Sequence, residues 1–296
     1  MRRNRLLEGL YDDGTFRSET HDMSFDGGTY NGEWKDNVPN GDGTFTLENG
    51  DIYKGQFKQS QFNGKGIYKW SKSGATYNGE WKNGKQHGKG IWTIECGSSY
   101  EGQWEIGLHH GKGTFIWSNG DIYIGQWENG NRHGEGTKSY SNGTLYKGQW
   151  KEDKYDNEGI FRCTNGDVYK GQFKNSEYDG KGIYTWSNNG ATYEGHWKNG
   201  AFHGKGTATF PSGNVYTGSW ADDKKDGDGT MTYTGGKVIK MTYVEGRVLS
   251  KTESSDSNSQ SSNDDVSVLG KRSREEIIDD NIKVARARNA IIDVSQ

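Results

Sequence analysis

Rings and glycines alternate with polar residues along most of the chain. In YNGEWKNG, residues 77–84, Tyr77, Gly79 and Trp81 fall at spacing two, with Asn78, Glu80 and Lys82 between them. That period sends the two sets to opposite faces of a strand. The following GKGIW repeats the spacing with Gly88, Gly90 and Trp92, and predicts a second strand with its ring on the same side as its glycines. The unit is therefore expected to be a β-hairpin with one ring-and-glycine face and one polar face.

The pattern recurs. Tyr30, Tyr53, Tyr77, Tyr100, Tyr123, Tyr146, Tyr169, Tyr193 and Tyr216 are spaced by 23 residues, except for two steps of 24. Each is followed two residues on by Gly, and two further on by Trp or Phe. A Gly-x-Gly pair comes later in each unit, broken once by Asn157, and then an aromatic, replaced by Lys138, Ala208 and Met231 in three units. Fainter copies stand at Leu7, Gly9, Tyr11 and Gly14, and at Ile239, Met241, Tyr243 and Gly246, as expected of capping units. The two 24-residue steps begin 116 residues apart, which points to duplication of a five-unit block.

Turn chemistry sets one register. ENG, SNG, SNG and TNG at residues 48–50, 118–120, 141–143 and 164–166 suit three-residue turns with a left-handed Gly, which pairs Phe45 with Tyr53. SKSGATY and SNNGATY then need a four-residue loop, and the extra residue leaves the facing of the rings unchanged. At the other end NG at 83–84 favours two residues, whereas KDNVPNG at 35–41 suggests a longer loop, so that register stays open. Eighteen strands would make an elongated, twisted antiparallel sheet about 85 Å long. Its ring face must be covered by curling of the sheet, by a partner or by another copy.

Composition agrees with an all-β chain that has little aliphatic core: 46 of 296 residues are Gly and 29% are hydrophobic, while 13% are aromatic. With 37 basic and 40 acidic residues, the chain has neither the excess charge of a dedicated nucleic-acid binder nor net attraction to anionic lipid. Cys96 and Cys163 fall in different units and make neither a disulfide framework nor a metal cluster, which fits a reduced, cytoplasmic setting. No run of signal-peptide length is visible, nor one of the ~20 apolar residues that a membrane-spanning helix needs.

These residues resemble the MORN repeat (membrane occupation and recognition nexus): Tyr-x-Gly-x-Trp, then Gly-x-Gly-x-aromatic, over residues 30 to about 236. The resemblance implies an antiparallel hairpin array used in scaffolding, in protein–protein contact and, in several members, in attachment to membranes or phospholipids. Some members append an enzyme, for which the residues beyond the array leave too little chain.

Single motifs yield to the repeat. GKQHGKG at 84–90 has three residues rather than four between Gly and Gly-Lys, Gly where a phosphate loop has Ser or Thr, and a strand where it has a helix. His87, His110, His133 and His203 form a column about 10 Å apart, too widely spaced to share a zinc ion. His109 and His110 should face opposite ways. Asp51, Asp121 and Asp167 read as turn residues. No cofactor, metal, nucleic acid, small-molecule substrate or catalytic group is expected.

The candidate partner face is that of Tyr77, Trp81, Tyr100, Trp104, Tyr123 and Trp127, serving a protein partner or a second copy. The candidate lipid contacts are Lys65, Lys89, Lys112, Lys181 and Lys205 on the opposite face, each worth about 1 kcal/mol beside an anionic surface. The expected organisation is a degenerate N-terminal cap over 1–29, the array over 30–249, a Ser/Asp/Asn-rich linker over 250–270, and a tail over 271–296. In that tail Ser273 to Glu276 resembles a capping box before a short amphipathic helix, while Lys271, Arg272 and Arg274 make only a weak nuclear-import signal.

Overall fold

The computed structural model describes residues 27–253. Most of the expected N-terminal cap, most of the linker and the amphipathic helix lie outside them. Every described element is a strand, twenty in all, from β1 (Gly28–Lys35) to β20 (Arg247–Glu253). The chain divides into two compact units, one up to Lys154 and one from Tyr155. In the first, β1 to β11 (Leu145–Lys151) form a meander in which each strand pairs antiparallel with the next. The second, from β12 (Lys154–Arg162) to β20, is built the same way.

The longer turns follow the expected register. Phe45 pairs with Tyr53, and the amide of Leu47 donates to Asp51 across Glu48, Asn49 and Gly50, with Gly50 at φ +85°. In the 24-residue steps, Trp70 donates to Ala75 and Trp186 to Ala191, so the extra residue does lie in the loop.

The other end has a two-residue turn in both cases that the sequence left apart. Lys82 pairs with Lys85 around Asn83 and Gly84, and Lys35 with Val38 around Asp36 and Asn37. Both central residues have positive φ in each turn, the geometry that suits the twist of a hairpin. In three of the turns without Gly at the second position, the side chain there gains a bond to the repeat before. Asp153 Oδ1 accepts the Arg132 amide at 3.0 Å, Asp223 Oδ1 that of Phe202 at 2.8 Å, and Ser176 Oγ that of Tyr155 at 3.1 Å.

A bulge shapes each hairpin. Gly79 pairs with Gly90, but Glu80 pairs with His87, so Gly88 and Lys89 are left out of this ladder and pair only with Trp104 and Gln103 of the next strand. Gly88 takes φ +58°, and the Glu80 carboxylate accepts the freed Lys89 amide at 3.2 Å. Gln56, Gln103, Gln126 and Gln172 do the same in their repeats. Asn157 replaces this Gly at φ +57°, and Asn is among the few residues that tolerate such backbone. The two glycines of the pair thus have separate reasons: the first carries the bulge, the second makes room for a ring.

That ring is the repeat tyrosine. A Cβ on Gly79 would lie 2.5 Å from Tyr77 Oη, and one on Gly90 would enter the same ring. In all nine repeats the tyrosine hydroxyl donates to the carbonyl three residues on, at 2.7 to 3.4 Å, at the point where the bulge interrupts the ladder. The indole then ties repeats together: Trp81 Nε1 donates to Gly66 O at 3.1 Å, Trp104 to Gly90 O at 3.2 Å and Trp220 to Gly206 O at 3.2 Å.

Replacing Gly90 with Ala is expected to destabilise the first unit by about 1–3 kcal/mol, because the methyl overpacks a buried ring. Gly235→Ala, at a glycine with nothing within 4 Å of a built Cβ, should stay within about 0.5 kcal/mol. Urea unfolding of both variants is the check.

Candidate functional site

The six rings predicted as a partner face are internal. Tyr77, Tyr100 and Tyr123 are 0% exposed, and Trp81, Trp104 and Trp127 are 2 to 6% exposed. Trp81 and Trp104 stand edge-on to Tyr77, each with centroids 5.1 Å away. The chain covers its own rings, and they offer no surface to a partner.

What covers them is a column not recognised in the sequence: the residue two places before the first paired glycine. Phe62 stacks on Tyr53 at 3.6 Å, His109 on Tyr100 at 3.7 Å, Tyr178 on Tyr169 at 3.7 Å and Phe202 on Tyr193 at 3.8 Å. The bulge folds the short-turn half of each hairpin back over its tyrosine. Variable chemistry hides the column, since Gln86, Arg132 and Lys225 occupy it elsewhere, yet its position relative to the Gly-x-Gly pair is constant. His109 and His110 do face opposite ways, the first buried and the second half-exposed beside Glu105.

Two cations enter this interior in one repeat. Arg132 lies over Trp150 at 4.6 Å and pairs with Asp153 at 2.7 Å. Lys138 lies over Trp117 at 4.5 Å and Tyr140 at 4.4 Å, with Asp121 at 3.6 Å. Burial, and then the Arg132 charge, lower the Lys138 amine to about 8. In the matching repeats Tyr68 and Tyr184 donate to Asp51 and Asp167 at 2.9 and 3.0 Å. The aspartates, read as turn residues, also bind the next turn, Asp51 accepting the Ser71 amide at 2.8 Å.

The opposite face is the open one. Lys65, Lys89, Lys112, Lys181 and Lys205 are all exposed, each between the paired glycines and so turned away from the tyrosine. In the second unit this face is concave, forming a groove of about 960 Å³. Two cross-strand rows line it. One runs through Lys181, paired with His196, and Lys205, paired with Ser219. The other runs through Ile183, Glu194, Thr207, Thr217, Thr230 and Lys240, each paired with the next. Glycines such as Gly182, Gly195 and Gly206 form its floor and leave the backbone within reach.

Polar groups in the groove are joined locally. Lys205 Nζ donates to Ser219 Oγ at 2.8 Å, Thr207 and Thr217 hydroxyls meet at 3.1 Å, and Thr242 Oγ1 donates to Asp228 at 2.8 Å. His196 stands where other repeats have the Gln or Glu that accepts the bulge amide; its Nδ1 instead lies 3.3 Å from Lys205 O. Four lysines and three carboxylates line the groove together. Such a surface complements a ligand carrying both signs and many hydrogen-bonding groups.

Comparison with known proteins follows the same period. The MORN repeat model matches nine segments, 30–52, 53–74, 77–95, 100–122, 123–145, 146–168, 169–191, 193–215 and 216–238. Solved structures similar to the chain include the SAS-4 (dCPAP) TCP domain in complex with a Proline Rich Motif of Ana2 (dSTIL) of Drosophila melanogaster. It is 13% identical with a TM-score of 0.29, over 49% of this chain and 85% of that one. A streptogramin B lyase structure is 14% identical with a TM-score of 0.15, over 59% of this chain and 53% of that one. No curated protein matches the chain.

His109 gives the first unit a pH dependence. Burial lowers its imidazole from 6.5 to about 3, so below pH 6.5 the unfolded chain takes up a proton that the folded chain refuses. Its contribution is fully present above 6.5 and is lost as pH falls towards 3, by up to about 1.4 kcal/mol per pH unit. Urea unfolding of wild type and His109→Phe should therefore diverge by about 2 kcal/mol between pH 7 and pH 5, the variant losing less.

Proposed function

The chain belongs to the MORN-repeat family, and from that premise we propose that it is a non-enzymatic scaffold or adaptor, working in the cytoplasm, which holds a protein partner on the open face of its array. The groove of the second unit supports this reading most. Its floor is glycine, its walls carry lysine, glutamate and threonine, and an extended polypeptide with mixed side chains could use backbone and side-chain groups alike. Repetition argues against a reaction centre, since nearly equivalent groups recur from repeat to repeat. Self-association is compatible with the same face, because the rings are already covered within the chain.

A second reading is a peripheral membrane adaptor. It draws on the five exposed lysines, three of them on the open face of the first unit and two on that of the second. Glu135 and Glu158 interrupt their column at equivalent places, and this lowers the charge density that an anionic phospholipid would meet.

A photo-reactive residue at Thr217 in the groove is expected to give discrete protein adducts in cells, well above those from one at Asn188 in a distant turn. Equal yields at the two positions would overturn the groove reading. Flotation with anionic vesicles decides the second reading: salt-sensitive binding that disappears when the five lysines are changed to Glu would favour the membrane adaptor.

A further inference from the structure

The groove ends at the strand from which the C-terminal tail departs. Ser250 and Thr252, both on β20, line it, and the described chain stops at Glu253. The next residues, SSDSNSQSSNDDV from Ser254 to Val266, contain three aspartates, no Lys or Arg, no ring, and otherwise almost entirely Ser, Asn and Gln. Small hydroxyl and amide side chains of this kind suit a groove floored by glycine and walled by threonine. Lysines outnumber carboxylates in its lining by four to three, and Asp256, Asp264 and Asp265 offer them further counter-charge.

Reach agrees with charge. From β20 to β13 (Val168–Lys174) there are seven strand steps, about 34 Å at ~4.8 Å each. Thirteen extended residues cover about 43 Å. Lys240 lies one strand from β20, whereas Lys181 and Lys170 lie six and seven strands away. A tail laid across the strands would therefore bring Asp256 near Lys240 early in its path, and Asp264 and Asp265 to the far lysines late in it. Of the groove carboxylates, Asp228 is already held by Thr242, while Glu158 and Glu194 also line the far half and would repel any register that sets a tail aspartate against them.

We infer that residues 254–266 occupy this groove in the free protein and that a partner must displace them, so that the tail is an internal competitor for the site. The inference rests on the reading of the groove as the partner site. It makes access to that site depend on the charge of the tail.

Zero-length coupling of carboxylates to amines in the full chain tests it. The expected result is intramolecular linkage of Asp264 or Asp265 to Lys181, Lys170 or Lys205, unchanged by protein dilution, and lost in the triple variant Asp256→Lys, Asp264→Lys, Asp265→Lys. In parallel, a labelled peptide of residues 254–266 should bind the triple variant at least tenfold more tightly than wild type, because the groove has been vacated. The triple variant should also raise the yield of adducts from the photo-reactive residue at Thr217. Absence of tail-to-groove linkage, or linkage that appears only between chains and fades on dilution, would overturn the proposal. Adducts at Thr217 that persist without any tail linkage sink the internal competitor alone, whereas loss of both removes the groove as a partner site.

Discussion

The structure depends on one contact: a tyrosine ring laid across two glycines of adjacent strands, with its hydroxyl on a carbonyl at the bulge. The contact needs all its parts. Without glycines the ring cannot approach the backbone, and without the ring that backbone lies bare. Without the hydroxyl a buried carbonyl loses its donor, a loss of about 1–3 kcal/mol when nothing replaces it. Repetition of this contact lets each unit of a chain with few aliphatic residues bury an interior.

Neighbouring repeats are coupled through equally specific bonds. The indole of one repeat donates to the glycine carbonyl of the repeat before, and the short turn does the same with its second amide, as Gly84 does to Phe62. Phe57 and Phe173 stand in the tryptophan position without an N–H to give, so ring contacts such as Tyr30 with Phe57 at 4.9 Å stand in for the indole bond beside the turn amides of Ser60 and Ser176. Stability in such arrays is close to a sum of repeat and nearest-neighbour terms. Substitutions such as Lys138 and His109 therefore act locally, and the array absorbs them by ion pairing, cation–π contact or a neutral imidazole.

Covering the rings from within decides where function can reside. Once a tyrosine lies under the folded-back half of its own hairpin, the inner face is closed and its chemistry serves packing; only in the first described repeat does a ring of this face, Trp34, stay 57% exposed. The outer face keeps its lysines, carboxylates and threonines in reach of solvent, and in the second unit it curves into a groove. The glycines under the tyrosine serve both sides: they admit a ring within and leave open backbone without.

Much of this was legible in the chain. The 23-residue period, the spacing of Tyr, Gly and Trp, and the Asn-Gly turns determined the hairpins, the register of the longer turns, the shared face of rings and glycines, and the outward lysines, because each rests on local alternation or on backbone demands of single residues. Alternation states which residues share a face, but not which face is covered. The covering depends on a bulge that brings Phe62 or His109 onto a ring lying many residues away, and its variable side chains carry no periodic signal. The two-residue turn at Asp36 and Asn37 and the tolerance of Asn157 were decided by the bulged geometry of the hairpin, and the placing of Arg132 and Lys138 among rings and the concavity of the outer face by the meeting of one repeat with the next.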